Sequence, residues 1–249
     1  DTDMSAVKYV MYGAAPIPLD LLREAVQTIP GAGFLQCYGM TETTGTIAML
    51  PPEDHALDGN QRMRSAGKAV PGAELKVIGE DGGELPRGEV GELICKSPSN
   101  MIGYWNLPDA TRGALKDGWM HTGDAAYMDE DGYVYIQDRI KDMIISGGEN
   151  VYPAQVESAI YGHPAVSEVA VIGVPDETWG EAVKACVVPK PGTTVDPDDI
   201  IAFTRERLAG FKVPKTVEVI DAMPRNPSGK ILRRELRAPF WEGRDRQVN

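Results

Sequence analysis

The 249 residues carry 37 acidic against 25 basic side chains, a net charge of −12, which argues against a sequence-independent grip on nucleic acid. Hydrophobic residues make up 42% and charged residues 25%, the balance of a globular chain able to bury the core of one large domain or two ordinary ones. The longest apolar runs, such as "VAVIGV" at 169–174, are too short to span a bilayer, and no secretory leader is visible.

In chain order, "AVKYVMYGAAP" (6–16) reads as a buried strand ending in a Gly-rich turn. "PLDLLREAVQTIP" then places Leu22, Val26 and Ile29 at helical spacing, with Pro30-Gly31 as the stop. "GFLQCYG" (33–39) is a second short strand, and the three pieces make a βαβ unit of a parallel sheet. From about residue 70 the pattern changes to alternation. "AELKVIGEDGGELPRGEVGELICKS" suggests a hairpin around Asp81-Gly82-Gly83, and "YMDEDGYVYIQDR" a second one turning at Asp131-Gly132. This middle part is expected to be a small antiparallel sheet or barrel.

After Arg139 the chain restarts as a mixed α+β unit. "DMIIS", "VSEVAVIGV", "EAVKACVVP" and "KTVEVID" read as strands, and "YPAQVESAIYGHP" as a helix with Pro153 in its first turn. "DPDDIIAFTRERLAG" is a helix with Asp196 as N-cap, Pro197 at its first position and Gly210 beyond its end. A last short helix is expected after Lys230. The cysteines Cys37, Cys95 and Cys186 are odd in number, without a CxxC pair. Their strand-like neighbours suggest buried, reduced thiols and a cytoplasmic location.

Several stretches could carry chemistry. "CYGMTETTG" (37–45) follows a strand of the parallel sheet, where α/β sheets place ligands. Gly39 permits close backbone approach, Thr41, Thr43 and Thr44 offer hydroxyls to a phosphate, and Glu42 is a hard oxygen ligand suited to Mg²⁺. On this stretch alone, a turn capped by its own threonines is the simpler reading. "YGAAP" (12–16) leaves backbone amides open to a flat ligand edge. Asp124, after a Thr-Gly turn, and Arg139, one residue past a strand, could clamp ribose hydroxyls or simply form a surface ion pair. The glycines of "SGGEN" (146–150) allow a narrow backbone-lined passage or a mobile turn. Finally, Arg225, Lys230, Arg233, Arg234 and Arg237 face a single acid, Glu235, in "RNPSGKILRRELR". On an acidic chain such a patch suggests a small polyanionic ligand.

Together, "YGMTETTG", "TGD", "DRIKDMIISGGENVYP" and "PRNPSGKILRREL", in this order, resemble the AMP-forming acyl-CoA synthetases. These belong to the adenylate-forming group that also holds luciferases and peptide-synthetase adenylation domains. "SGGENVYP" resembles the fatty-acyl and aryl CoA ligases, and "YGAAPIP" leans towards the fatty-acyl branch. The family's Ser/Thr/Gly-rich phosphate loop has no counterpart in these residues. The resemblance therefore covers the end of a large adenylating domain (1–138), a hinge (139–142) and a small α+β lid domain (143–249). A chain without that loop is expected to be inactive by itself.

The resemblance implies ATP, Mg²⁺ and coenzyme A as cofactors, and small-molecule partners: a carboxylic acid, most simply a long- or medium-chain fatty acid, ATP and CoA. It implies no nucleic acid and no integral membrane segment. It assigns Lys230 to the charge that develops during adenylation, Thr41 to the AMP phosphate and Glu42 to Mg²⁺. Tyr38 would stack on adenine beside Gly13, Ala14 and Ala15, with Gly39 at the turn, and Asp124 and Arg139 would hold the ribose. Lys141 falls at the hinge. Gly147 and Gly148 would line a pantetheine tunnel, and Trp179, Phe211 and Lys215 would meet CoA, although Trp179 reads equally well as an aromatic packing its own turn. An aryl-CoA or acyl-AMP ligase, and a non-catalytic nucleotide- or CoA-binding module, remain as alternatives.

Overall fold

The computed structural model describes residues 3–15, 17–57, 61–227 and 229–243. Pro16, which closes the "YGAAP" stretch, and Ser228, in the turn before Lys230, lie outside the described residues. The chain divides into two compact units, Asp1–Gln137 and Asp138–Asn249.

The first unit opens with strand β1 (Tyr9–Gly13), helix α1 (Leu19–Thr28) and strand β2 (Gly33–Met40), with β1 and β2 parallel in the register Tyr9 to Gly33. This is the expected βαβ unit, but β1 is not the buried strand expected: it is the edge strand of this sheet, and Tyr9 and Met11 are exposed. The apolar stripe of α1 buries Leu22 against Phe34 and Met63, with Val26 and Ile29 packed beside them. The sheet then turns mixed: β3 (Gly45–Leu50) pairs antiparallel with β2, and the two-residue β4 (Lys68–Ala69) pairs with β3.

A second sheet holds β5 (Glu74–Ile78), β6 (Gly91–Lys96), β7 (Leu115–Lys116), β8 (Trp119–Met128) and β9 (Val134–Arg139). Their order is β5-β6-β8-β7, with β9 also on β8. Helix α2 (Pro108–Ala114) precedes β7. The expected β8–β9 hairpin turns over Asp129–Gly132, where the Gly132 amide donates to the Asp129 carbonyl at 3.0 Å. The first turn also falls where expected, around residues 81–83, with the Gly82 amide donating to the Gly79 carbonyl at 3.0 Å and the Gly79 amide to the Gly83 carbonyl at 2.9 Å, but it does not lead directly into β6. β5 and β6 pair antiparallel, but Ile78 lies opposite Glu92, and only an isolated bridge joins Ile78 to Glu84. The Leu85 amide donates to the Val77 carbonyl and the Gly88 amide to the Met128 carbonyl, each at 2.9 Å, while Pro86 between them has no amide to donate, and β6 begins only at Gly91.

The second unit is one five-stranded sheet. β10 (Ile144–Ser146) and β11 (Glu149–Val151) form a short hairpin that the sequence pattern did not reveal. The long β12 (Val166–Asp176) and β13 (Gly180–Pro189) pair antiparallel, and β14 (Thr216–Val219) joins β13 in parallel. Helices α3 (Pro153–Tyr161), α4 (Pro197–Arg205) and α5 (Arg233–Trp241) complete it. Asp196 caps α4 as expected, its carboxylate accepting from the Asp198 amide at 3.0 Å. The unbroken "VAVI" run of β12 has a physical cause: side chains alternate across a strand, and both faces are covered. Val169 and Val171 join a core with Val156, Ile160 and Ile200, while Ala170 and Ile172 meet Met223, Leu236 and Phe240 on the other side.

Cys95 and Cys186 are buried and free, with thiols pushed up to about 11 by burial. Cys37, on β2, is only half-buried, contrary to the expected buried thiol. Among the described residues no helix is long and apolar enough to cross a membrane.

Candidate functional site

In the first unit, the end of β2 runs into a single 3-10 turn, Thr41–Thr43. Gly39 is required there: a Cβ would stand 1.8 Å from the Gly45 carbonyl oxygen. Of the three threonine hydroxyls expected to face a phosphate, two are engaged in the fold. Thr43 is fully buried and donates to the Met40 or Gly45 carbonyl while accepting the Met40 amide, and Thr44 donates to the Ser99 carbonyl at 2.7 Å. For Thr43 the capping reading is the correct one, while Thr44 ties the turn to a distant loop. Thr41 stays exposed. Glu42 is half-buried, its Oε1 accepting from the Tyr104 hydroxyl at 2.8 Å and its carbonyl from the Met101 amide at 2.6 Å.

Tyr38, on β2, donates its hydroxyl to Asp124 Oδ2 at 2.5 Å. Two residues read separately from the sequence, 86 positions apart, are thus in direct contact. Asp124 is only 6% exposed. Its turn is held from β6, where Glu92 accepts from the Gly123 amide at 3.1 Å and pairs with His121 at 2.8 Å. At the mouth of β1, Gly13 lies against Cys37, with a Cβ 2.0 Å from its carbonyl oxygen. Ala14 takes a left-handed φ of 64° and is exposed, as is Ala15. A non-glycine residue in that conformation is strained and accumulates at ligand-contacting turns.

Behind this turn lies a buried polar pair absent from the sequence reading. His55 Nδ1 is 2.9 Å from the Pro51 carbonyl oxygen and its Nε2 is 2.8 Å from the Tyr12 hydroxyl. Nδ1 donates to the Pro51 carbonyl, and Nε2 shares a hydrogen bond with the Tyr12 hydroxyl, which can either donate or accept. Burial holds its pKa below the usual value of 6.5, against the opposing pulls of Pro51 and Asp54. A proton is then taken up more readily by the unfolded than by the folded chain, so stability falls as pH drops below 6.5 towards the folded pKa. Melting temperatures of the complete protein should decline through that window, and His55→Gln should flatten the slope.

In the second unit, Gly147, Trp179, Phe211 and Lys215 line one cleft together with Ser146 and Glu149. The sequence reading had not singled out the last two. The Gly147 amide donates to the Trp179 carbonyl at 2.9 Å, and Lys215 Nζ lies 5.6 Å from the Trp179 ring centroid. Trp179 is 48% exposed, so its indole forms a wall of the cleft rather than packing away in its own turn. Gly147 has φ 62°, and a Cβ there would meet the indole at 2.6 Å. Gly148 differs: a Cβ there would meet nothing within 4 Å, so it does not narrow this cleft. Arg139 ends β9 half-buried, and Lys141 is exposed in the 3-10 turn Ile140–Asp142.

Lys230 is exposed and is not among the cleft's lining residues. Its backbone is tightly held: its amide donates to Asn226 Oδ1 at 2.9 Å, and its carbonyl accepts the Asn226 amide at 3.0 Å. The expected basic patch is largely neutralised. Arg225 pairs with Glu168, Arg233 with Glu157, Asp138 and Asp142, and Arg237 with Asp142. Among the described residues, the ammonium of Lys230 and the guanidinium of Arg234 form no ion pair, so a polyanion would meet two cations rather than five.

Comparison with known proteins places the chain. Residues 1–105 match the AMP-binding enzyme family and residues 155–230 match the AMP-binding enzyme C-terminal domain. The chain belongs to the AMP-binding, adenylate-forming enzymes. It is 51% identical over 247 residues to the fatty acid–[acyl-carrier-protein] ligase ScoC of Streptomyces coeruleorubidus, covering 99% of this chain and 47% of that protein. The amide bond synthetase McbA of Marinactinospora thermotolerans superposes with TM-score 0.88 at 38% identity, covering 96% of this chain and 48% of that one. The o-succinylbenzoate CoA synthetase MenE of Bacillus subtilis, in complex with the acyl-adenylate OSB-AMP, gives TM-score 0.84 at 39% identity over 92% of this chain and 45% of that one. The chain spans about half the length of the curated relatives it matches.

Proposed function

We propose that the protein carrying this chain is an ATP-dependent, AMP-forming ligase that activates a carboxylic acid, most simply a medium- or long-chain fatty acid, and transfers the acyl group to the thiol of coenzyme A. The carrying observation is the distribution of charge around "SGKILRR". Its neighbours Arg225, Arg233 and Arg237 are consumed by carboxylates, while among the described residues the Lys230 ammonium forms no ion pair and its backbone is held by Asn226.

In the first step a carboxylate oxygen attacks the α-phosphorus of ATP, the bond to the β-phosphate oxygen breaks, and pyrophosphate leaves. Negative charge grows on the α-phosphoryl oxygens, and a fixed ammonium there lowers the barrier. Lys230 would fill that role. Tyr38 and Asp124 would hold the nucleoside, Asp124 accepting from the ribose with Arg139, and Tyr38 stacking beside the strained Gly13–Ala15 turn. Thr41 would donate to the α-phosphate. Among the described residues no cluster of three or more His, Cys, Asp or Glu side chains could cage a metal alone. A single carboxylate, Glu42, beside a phosphate fits Mg²⁺, which completes its shell with phosphate oxygens and water. The ion would neutralise the phosphate charge.

In the second step the thiol attacks the acyl carbon, gives up its proton and displaces AMP. The cleft of Gly147, Trp179, Phe211 and Lys215 is the entry for the pantetheine arm, with Lys141 in the segment about which the second unit turns between the two steps. ScoC is named for an acyl carrier protein. That acceptor presents the same pantetheine thiol, and the fatty-acyl motif agrees with the acid in its name.

The test is acid-dependent ATP–pyrophosphate exchange over aliphatic and aryl acids, followed by thioester formation with CoA or acyl carrier protein. Fatty-acid-dependent exchange with transfer to CoA is expected. Exchange without any thiol acceptor would make it an acyl-AMP ligase, and nucleotide binding without exchange a binding module. On the same reading, Asp124→Ala should raise KM for ATP about tenfold or more through loss of charge-assisted hydrogen bonds, with a smaller effect on kcat.

A further inference from the structure

Among the described residues, Arg233 makes the most connected ion-pair cluster of the second unit. Its Nη2 donates to both carboxylate oxygens of Glu157, at 2.9 and 2.7 Å. Its Nη1 lies 3.5 Å from Asp138 and 3.8 Å from Asp142, and Arg237 reaches Asp142 at 3.4 Å from the next turn of α5. Asp138, 6% exposed, also accepts the amides of Arg139 and Ala154, each at 2.7 Å. Burial raises the pKa of Asp138 and Glu157, while Arg233 pulls both back towards the charged form. Three carboxylates therefore converge on two guanidinium groups, and Arg233 is the one they share.

What distinguishes this cluster from ordinary fold glue is where its ends lie. Asp138 and Asp142 bracket the 139–142 segment, and Glu157 sits on α3. Arg233 opens α5 only three residues beyond Lys230, and the intervening chain has little slack. The Leu232 amide donates to the Pro224 carbonyl at 2.8 Å, Ile231 packs into the core beneath α5, and Asn226 grips the Lys230 backbone from both sides.

We propose that Arg233 is a positioning residue for Lys230: it ties the lysine-bearing turn to the 138–142 segment, so that a rotation at that segment carries the ammonium with it as one rigid piece. This rests on the reading above, in which Lys230 serves adenylation and 139–142 is the hinge. Without the shared guanidinium, Asp138, Asp142 and Glu157 repel one another at the base of the turn. Lys230 then samples positions displaced from the α-phosphate, and a displacement of about 1 Å can cost on the order of a hundredfold in rate. Thioester formation does not use the ammonium and is unaffected by its wandering.

The experiment uses the complete enzyme with Arg233→Met, Arg233→Lys, Lys230→Ala and the Arg233→Met/Lys230→Ala double variant. Each is assayed for pyrophosphate exchange and for thioester formation from presynthesised acyl-AMP, with melting temperatures alongside. Arg233→Met is expected to lower exchange kcat by about tenfold to a hundredfold, with KM for ATP and thioester formation within about threefold of wild type. Combined with Lys230→Ala it should cause no further loss of exchange. Arg233→Lys, which keeps the charge but not the bidentate fork, should recover part of the rate, and it carries the same comparison if the methionine variant does not fold. Equal losses in both half-reactions, or losses that multiply in the double variant, would show that Arg233 only holds the fold and would overturn the proposal. A Lys230→Ala enzyme with undiminished exchange would instead remove the reading of Lys230 on which the proposal stands.

Discussion

Lys230→Ala in the complete enzyme is expected to lower acid-dependent pyrophosphate exchange by a factor of about a hundred to a thousand, the usual cost of removing one preorganised electrostatic donor. Thioester formation from presynthesised acyl-AMP should stay near wild type. The magnitude follows from position and from isolation. Asn226 holds the Lys230 backbone from both sides, so the base of the side chain is placed and only its rotamers remain to be ordered on the nucleotide. The neighbouring cations are already committed to Glu168, Glu157, Asp138 and Asp142, so none is free to substitute without breaking an internal pair. Arg234 is the exception, and Arg234→Ala is the control: it should leave exchange within about threefold of wild type. If the two variants fell equally, the effect would belong to the patch and not to the lysine.

The second large effect is expected at Gly147, and in the opposite half-reaction. Gly147→Val places a β-branched residue at φ 62° and puts its Cβ 2.6 Å from the Trp179 ring. The left-handed conformation alone costs about 1–2 kcal/mol, and the clash forces either the glycine turn or the indole to move. Both the indole and Lys215, which lies over its ring, line the cleft, so the thiol arm's path closes. Acyl-AMP should still form and accumulate, while thioester release drops by about tenfold or more. Gly148→Ala is the informative partner. Its Cβ meets open space, so it should share the backbone strain but not the blockage, and its thioester rate should exceed that of Gly147→Val. Equal loss of exchange and thioester formation in Gly147→Val would contradict a role in the second step.

The elements most legible in the sequence were those dictated locally. The stripe of Leu22, Val26 and Ile29 gave α1, and Asp196 with Pro197 fixed the start of α4, because periodicity and capping act within a few residues. The βαβ unit and the β8–β9 hairpin followed from the same kind of signal. What escaped depends on partners far along the chain. The contact of Tyr38 with Asp124 spans 86 positions, and that of Arg233 with Glu157 spans 76. Neither has a local signature. The three threonines of "TETT" look alike as letters, and only the fold separates exposed Thr41 from Thr43, buried, and Thr44, bonded to Ser99. The basic run after Arg225 misled for a related reason: its counter-charges lie on β12, on α3 and around the 138–142 segment, invisible to a linear count.

The central claim is that one ammonium, carried on the second unit, stabilises charge on a nucleotide held by the first. Lys230→Cys followed by alkylation tests it most directly in the complete enzyme. 2-Bromoethylamine converts the cysteine to a thioether analogue of lysine with its positive charge, whereas iodoacetamide adds a neutral side chain of similar length, with wild type treated in parallel as the control for native thiols. The account predicts that Lys230→Cys loses pyrophosphate exchange, that aminoethylation restores most of it, and that carboxamidomethylation restores none. Equal recovery with the neutral reagent, or none with the cationic one, would contradict it.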